Sequence, residues 1–375
     1  MRVTEIFLKD YRNFAELKLD LSEGINIFLG RNAQGKTNIL EAVYFASVLR
    51  SRAVKFTDLI SWDKDAAFVK IGFRKAEVSQ EVAVELSARK RSRRLFVNGE
   101  MVRSKSFVGR LNSVIFAPED LFMFRGSPAG RRQFLNAEIS QASPVYYENL
   151  QVYNHIINQR NVLLKKIRAG QARRASLETW NEQFAKYSAR ITAERLISVD
   201  MLKDFARIIY KNISAQNEKF SIKYDLKYLD FDITKKNFYS GEFKHYLFDW
   251  YKKIIAEKSQ RDIERGNSGF GPHHDDLKFF INDRELKLYG SQGQMRTAAL
   301  SLKLSELEFL KSARGEYPVL LLDDVMSELD ANRREQLLKF LKLKKIQTII
   351  TATEKKYFPD ADFGKVFEVN AGKIF

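Results

Sequence analysis

The segment Gly30-Arg31-Asn32-Ala33-Gln34-Gly35-Lys36-Thr37 restricts the possible folds of this chain more than any other stretch. It satisfies G-x-x-x-x-G-K-[ST], follows the short apolar run Ile25 to Leu29, and precedes a helical pattern from Thr37 to Leu49. A buried strand, a glycine-rich loop and a helix in that order make a phosphate-binding loop. The glycines let successive backbone N–H groups curl toward phosphate oxygens, and the helix N-terminus adds partial positive charge. In such a loop Lys36 reaches the β- and γ-phosphates of a nucleoside triphosphate, and the Thr37 hydroxyl binds Mg²⁺. The chemistry expected of the chain is therefore binding of a nucleoside triphosphate and Mg²⁺ within an α/β domain.

Val319-Leu320-Leu321-Leu322-Asp323-Asp324 supplies the acidic complement: an apolar strand that ends in two carboxylates. Asp323 is the expected Mg²⁺ ligand, usually through water, and Asp324 the residue that positions or deprotonates the attacking water.

Around these motifs the chain changes texture twice. Residues 1–127 read mainly as strands, with Asn98-Gly99 a strong hairpin signal. From Pro128 to about Gly266 helical spacing dominates. Pro144 starts a helix that Gly170 ends, and Ser176 caps a longer one, the two reading as an antiparallel pair about 40–55 Å long. Phe220 to Leu226 alternates like a strand. From residue 267 to 375 strand and helix alternation returns. The expected organisation is an ATPase head built from residues 1–127 and 267–375, interrupted by a mostly helical lobe at 128–266.

Lys and Arg total 64 against 47 Asp and Glu, a net charge of +17, which favours polyanionic partners such as nucleic acid. With no Cys in 375 residues, disulfides, thiolate metal sites and a Cys nucleophile are excluded. No signal-peptide pattern or membrane span is read, so a cytoplasmic, membrane-free protein is expected.

Three further segments narrow the class. Gly290-Ser291-Gln292-Gly293-Gln294 resembles the signature loop of ABC-type ATPases, Ser327-Glu328-Leu329-Asp330 resembles their D-loop, and Tyr11-Arg12-Asn13-Phe14 resembles the arginine-bearing loop of chromosome-maintenance ATPases. Together with Phe116-Ala117-Pro118-Glu119-Asp120-Leu121, Arg131-Arg132-Gln133-Phe134-Leu135 and Gly271-Pro272-His273-His274-Asp275-Asp276-Leu277, the chain resembles the RecF family nearly end to end. The family pattern usually has Arg where His274 stands. Asp324 replaces the Glu usual in ABC ATPases, and Thr351 stands where their switch histidine is expected.

The resemblance implies an ABC-type P-loop head. Its nucleotide would be gripped by residues 30–37, by Arg12 and Asn13, and by Ser291, Gly293 and Gln294 of a second copy. Lys36, Asp324 and Ser291 would carry catalysis. ATP binding would then close a homodimer, and hydrolysis, weak and DNA-dependent, would release it. The resemblance further implies recombinational repair, recombinase loading at gaps, replication restart and the SOS response, with RecR and RecO as partners. DNA, as duplex or single-strand/duplex junction, would be bound with little sequence preference. Candidate phosphate contacts are Arg89, Lys90, Arg91, Arg93, Arg94, Arg131, Arg132, Lys165, Lys166 and Arg168. A transporter ATPase subunit would lack the helical lobe and basic surplus, a full chromosome-maintenance ATPase would need a longer coiled coil, and a P-loop kinase would not need Ser291 in trans. The adjacent His273-His274 and Asp275-Asp276 read as a structural loop rather than a zinc site.

Overall fold

A computed structural model describes residues 1–51, 55–214, 218–228, 238–358, 364–370 and 372–374. The chain forms two compact units: Met1–Phe122 with Ile208–Asn217 and Ser291–Phe375, and Met123–Arg207 with Glu218–Gly290.

The first unit holds two sheets. One is an antiparallel meander in which Phe14–Asp20, Arg2–Tyr11, Ala66–Lys75, Val78–Ser87, Ser92–Val97 and Glu100–Val102 lie side by side in that order. Its last hairpin turns at Asn98 and Gly99, both with positive φ (50° and 81°), the backbone that tight hairpins require. The other sheet follows the order Lys373–Ile374, Lys365–Asn370, Ile25–Leu29, Thr348–Ala352, Val319–Asp323 and Ser113–Phe116. All its neighbours pair in parallel except the first two. Strands covered on both faces read as continuous apolar runs, which is why Val319 to Leu322 alternates with nothing. The register puts Phe28, Thr351 and Asp323 in one row at the carboxyl ends of three strands, the edge where α/β sheets bind ligands.

The second unit packs the helices Pro128–Ala142, Pro144–Arg168 and Gly241–Arg265 with most of Glu178–Ile213. Tyr146 meets Arg195, Tyr153 stacks near Phe184, and Arg160 bonds Asn181, so the two long helices run antiparallel. Where Ser176 is expected to cap the second of them, Arg174–Leu177 instead forms a 3-10 turn and the helix starts at Glu178. That turn carries Leu177 into a cluster with Leu164 and Ile263.

The expected head boundary also moves. Asp276–Ile281 pairs antiparallel with Phe220–Asp225 and with Arg284–Glu285, placing residues 267–290 in the second unit rather than the head. Polar pairs fix this unit internally. Arg160, 0% exposed, forms a 2.8 Å ion pair with Asp262 and a bond to Ser268. Arg195 donates to Tyr146, Tyr224, Asn136 and the Pro272 carbonyl.

Candidate nucleotide site

The loop between Ile25–Leu29 and the helix Lys36–Val48 depends on its glycines sterically. A Cβ on Gly30 would lie 2.4 Å from the Val369 carbonyl oxygen, and one on Gly35 would lie 2.4 Å from Asn13 Nδ2. Gly35 also has φ 107°, a conformation that L residues rarely take. Asn13 Nδ2 donates to the Gln34 carbonyl at 3.2 Å and Asn13 Oδ1 accepts from Asn38 at 2.7 Å, so the turn before the second strand braces the loop. The Gly372 N–H donates to the same Gln34 carbonyl from the closing hairpin.

Lys36 is 6% exposed, and its ammonium donates to the Gly30 and Arg31 carbonyls at 2.6 and 2.8 Å. Burial lowers its pKa, and Asp324 and then Asp323 oppose that shift. The Thr37 hydroxyl donates to Asp323 Oδ1 at 2.9 Å, and the Thr351 hydroxyl donates to the same oxygen at 2.8 Å. Thr351 Oγ1 in turn accepts from the Asp324 N–H at 2.9 Å. Asp324 sits in the left-handed region (φ 52°), and its Oδ1 is buried with no hydrogen-bond partner. Burial raises its pKa; Lys36 pulls it down, while Asp323 and Glu328 push it up.

These groups line one pocket of about 330 Å³, which Asn32, Ala33, Gly35 and Asn38 enclose on the loop side and Pro118 and Glu119 on the other. A second pocket, about 590 Å³, is lined by Leu29, Gly30, Arg31 and Gln34 of the loop strand and loop, and by Glu368, Val369 and Asn370. One flank of the loop thus carries the hydroxyl, ammonium and two carboxylates that a phosphate–metal unit requires. Thr37 and Asp323 fit a Mg²⁺ ion, which commonly takes one or two carboxylates and completes its shell with phosphate oxygens and water.

Not every expected residue joins this pocket. Arg12 makes two bonds to Glu41, at 3.1 and 2.8 Å, and one to the Asp58 carbonyl, so its guanidinium is committed to the helix and its neighbours rather than to the loop. Ser291, Gly293 and Gln294 line neither pocket. Ser291 Oγ accepts from the Gln294 N–H while Gln294 Oε1 accepts from the Ser291 N–H, a capping box that fixes the first turn of Gln292–Arg314. That turn is tied to the segment after the acidic strand: Arg296 pairs with Glu328 at 2.8 Å, and Arg333 donates to Thr297. Glu119 and the 368–370 edge carry no site role in the sequence reading. The only signal for Glu119 is its place in the Phe116–Leu121 motif.

Among the basic candidates, Arg131 is 3% exposed and bidentate on Asp276, with its remaining nitrogen on the Met123 and Gly126 carbonyls. Arg132 donates to the Asp275 carbonyl. Arg131 is therefore committed within its own unit, while Arg132 is half-buried and holds the Asp275 carbonyl through Nη1. Arg89 pairs with Asp65, Arg94 with Glu85, Arg93 reaches the Leu49 carbonyl and Arg168 the Arg265 carbonyl. Lys90, Arg91, Lys165 and Lys166 are exposed. The 273–274 pair is internal: His273 bonds Tyr153, both rings reach the Ser268 carbonyl, and burial drives His273 down to about 3. Among the described residues no cluster of three or more His, Cys, Asp or Glu could hold a metal ion, and no helix is long and apolar enough to cross a membrane.

The family model described as RecF/RecN/SMC N terminal domain matches residues 2–374. The DNA replication and repair protein RecF of Heliobacterium modesticaldum is 37% identical over 100% of this chain and 99% of its own length. The chain belongs to the RecF family. The protein of the same description from Halothermothrix orenii is 40% identical, with 100% and 96% covered. Among solved structures, one described as the recombination mediator protein RecF–ATP in the RecFOR pathway superposes with a TM-score of 0.90 at 35% identity, covering 100% of this chain and 97% of that one. RecF members have the ABC-type ATPase head, and the parallel sheet and phosphate loop described above are that head.

Proposed function

We propose that this RecF-family chain is a DNA replication and repair ATPase in which ATP and Mg²⁺ close a homodimer around DNA. One observation carries the reading. Lys36, Thr37, Asp323 and Asp324 share a pocket that Ser291, Gly293 and Gln294 do not line, which suits the signature turn to the nucleotide of a second copy. Its capping box presents an exposed helix N-terminus suited to a γ-phosphate. Asp324, with its raised pKa and partner-free oxygen, accepts the proton of the attacking water. Asp is one methylene shorter than Glu and holds that water less closely, which makes hydrolysis slow and lets DNA stimulate it.

The γ-phosphate stabilises the closed pair and ADP does not, so the nucleotide sets how long DNA is held. DNA contacts run through the backbone, with Lys90, Arg91, Lys165 and Lys166 the best placed of the candidates. RecO and RecR are the expected partners, in line with the RecFOR pathway named for the RecF–ATP structure.

The test is molecular mass in solution with ATP–Mg²⁺ for wild type, Lys36→Met and Ser291→Arg. Wild type doubles in mass, each variant stays monomeric, and an equimolar mixture of the two recovers dimer through one intact composite site. A wild-type mass indifferent to ATP refutes the clamp.

A further inference from the structure

Apart from the nucleotide site, the first unit contains a concentration of positive charge that the described residues do not fully neutralise. It forms where the end of Ala66–Lys75, the loop at 109–110 and the end of Gln292–Arg314 meet. Arg314 Nη2 donates to the Gly109 carbonyl at 2.7 Å, bringing Arg314 beside Arg110. The Ala76 N–H points to Glu316 Oε2 at 3.4 Å, bringing Lys75 to the same place. Glu316 is the carboxylate at hand, and the Met1 ammonium holds it at 2.9 Å. Among the described residues, Glu316 is thus the carboxylate that acts on Lys75, and it is already paired with the Met1 ammonium.

Lys75 and Arg314 are half-buried, and burial followed by mutual repulsion lowers both: Lys75 feels Arg314 and Arg110, and Arg314 feels Arg110. Glu316 acts on Lys75 in the opposite sense. Arg314 Nε is buried with no hydrogen-bond partner, as is Glu316 Oε1. Arg110 is exposed and donates through Nε to the Ser106 carbonyl at 3.1 Å.

We infer that Lys75, Arg110 and Arg314 form a second phosphate site, one that takes a phosphomonoester dianion. Two guanidinium forks and an ammonium match a tetrahedral oxyanion, and a ligand with two charges offsets the surplus better than a carboxylate does. The ligand is either free phosphate or the 5′-phosphate at the end of a DNA strand. The second source rests on the DNA-binding reading; the geometry of the site does not.

The experiment uses the full chain carrying Lys36→Met, so that the nucleotide loop does not itself capture phosphate. Calorimetry with inorganic phosphate is run beside anisotropy with an oligonucleotide bearing either a 5′-phosphate or a 5′-hydroxyl. Phosphate binds, and adding Arg110→Gln weakens it about tenfold. Arg110 is exposed, so that variant keeps its fold, and its melting curve checks this. A preference of about tenfold for the 5′-phosphorylated strand, lost with Arg110→Gln, assigns the DNA end as ligand. Phosphate binding with no such preference assigns the free anion. No phosphate heat together with equal binding of the two strands overturns the site, and failure of both strands to bind while phosphate still does overturns the DNA reading alone.

Discussion

Thr351→Val tests how the acidic strand is held. The Thr351 side chain is fully buried, donates to Asp323 Oδ1 at 2.8 Å and accepts from the Asp324 N–H at 2.9 Å. Valine has the same outline but neither function. A hydrogen bond to a charged group contributes about 1.5–3 kcal/mol. The loss falls near the low end, about 1.5 kcal/mol, because both partners keep another bond. Asp323 Oδ1 still accepts from Thr37, and the Asp324 N–H still points at the Thr351 carbonyl at 3.2 Å. The larger effect is on Mg²⁺, since groups that orient a metal-binding carboxylate typically affect affinity by about 10–100-fold. Binding of a fluorescent ATP analogue at varied Mg²⁺ reads this out. The half-saturating Mg²⁺ rises about tenfold in Thr351→Val and returns in Thr351→Ser, while the urea midpoint falls in the first and recovers in the second. A valine variant with an unchanged Mg²⁺ requirement would show that Asp323 keeps its position without this hydroxyl, and the argument would fail.

Arg131→Met strands Asp276 beside a buried methionine and costs about 3–5 kcal/mol in urea unfolding. The slope of log affinity for DNA against log salt stays as in wild type, and a flatter slope would restore Arg131 as a phosphate contact. Asp275 supplies a pH test. Burial lifts its pKa from 3.8 to about 6, against the pull of Tyr224 and Arg195. Because the folded value lies above the unfolded one, the stability it contributes is complete below about 4 and disappears as pH rises through 6, a change of about 3 kcal/mol. Asp275→Asn removes that dependence, so the stability difference between variant and wild type changes between pH 4 and 8; a flat difference contradicts the shift.

The parts legible in the sequence are those whose chemistry is local. The loop from Gly30 to Thr37 and the pair Asp323-Asp324 announce themselves by spacing, and apolar runs mark the strands that carry them to within a residue. Where the outcome depends on distant partners, sequence patterns are silent. Nothing near Arg12 indicates that Glu41 will hold it, and Thr351 gains its role only because the register sets it beside Asp323. The misplaced boundary at 267 has the same cause: Asp276–Ile281 looks like any strand of the head until it pairs with Phe220–Asp225. Arginine pairs are silent in a related way: nothing in the sequence around Arg131-Arg132 indicates that Arg131 will be buried against Asp276.

The strand that ends in the phosphate loop, Ile25–Leu29, lies between Thr348–Ala352 and Lys365–Asn370. A ribosome delivers the loop more than 300 residues before either flanking strand. During synthesis the emerging chain therefore carries a nucleotide motif with nothing on either side of it. A polypeptide halted short of residue 348 therefore lacks both sheet neighbours of the strand that leads into the phosphate loop.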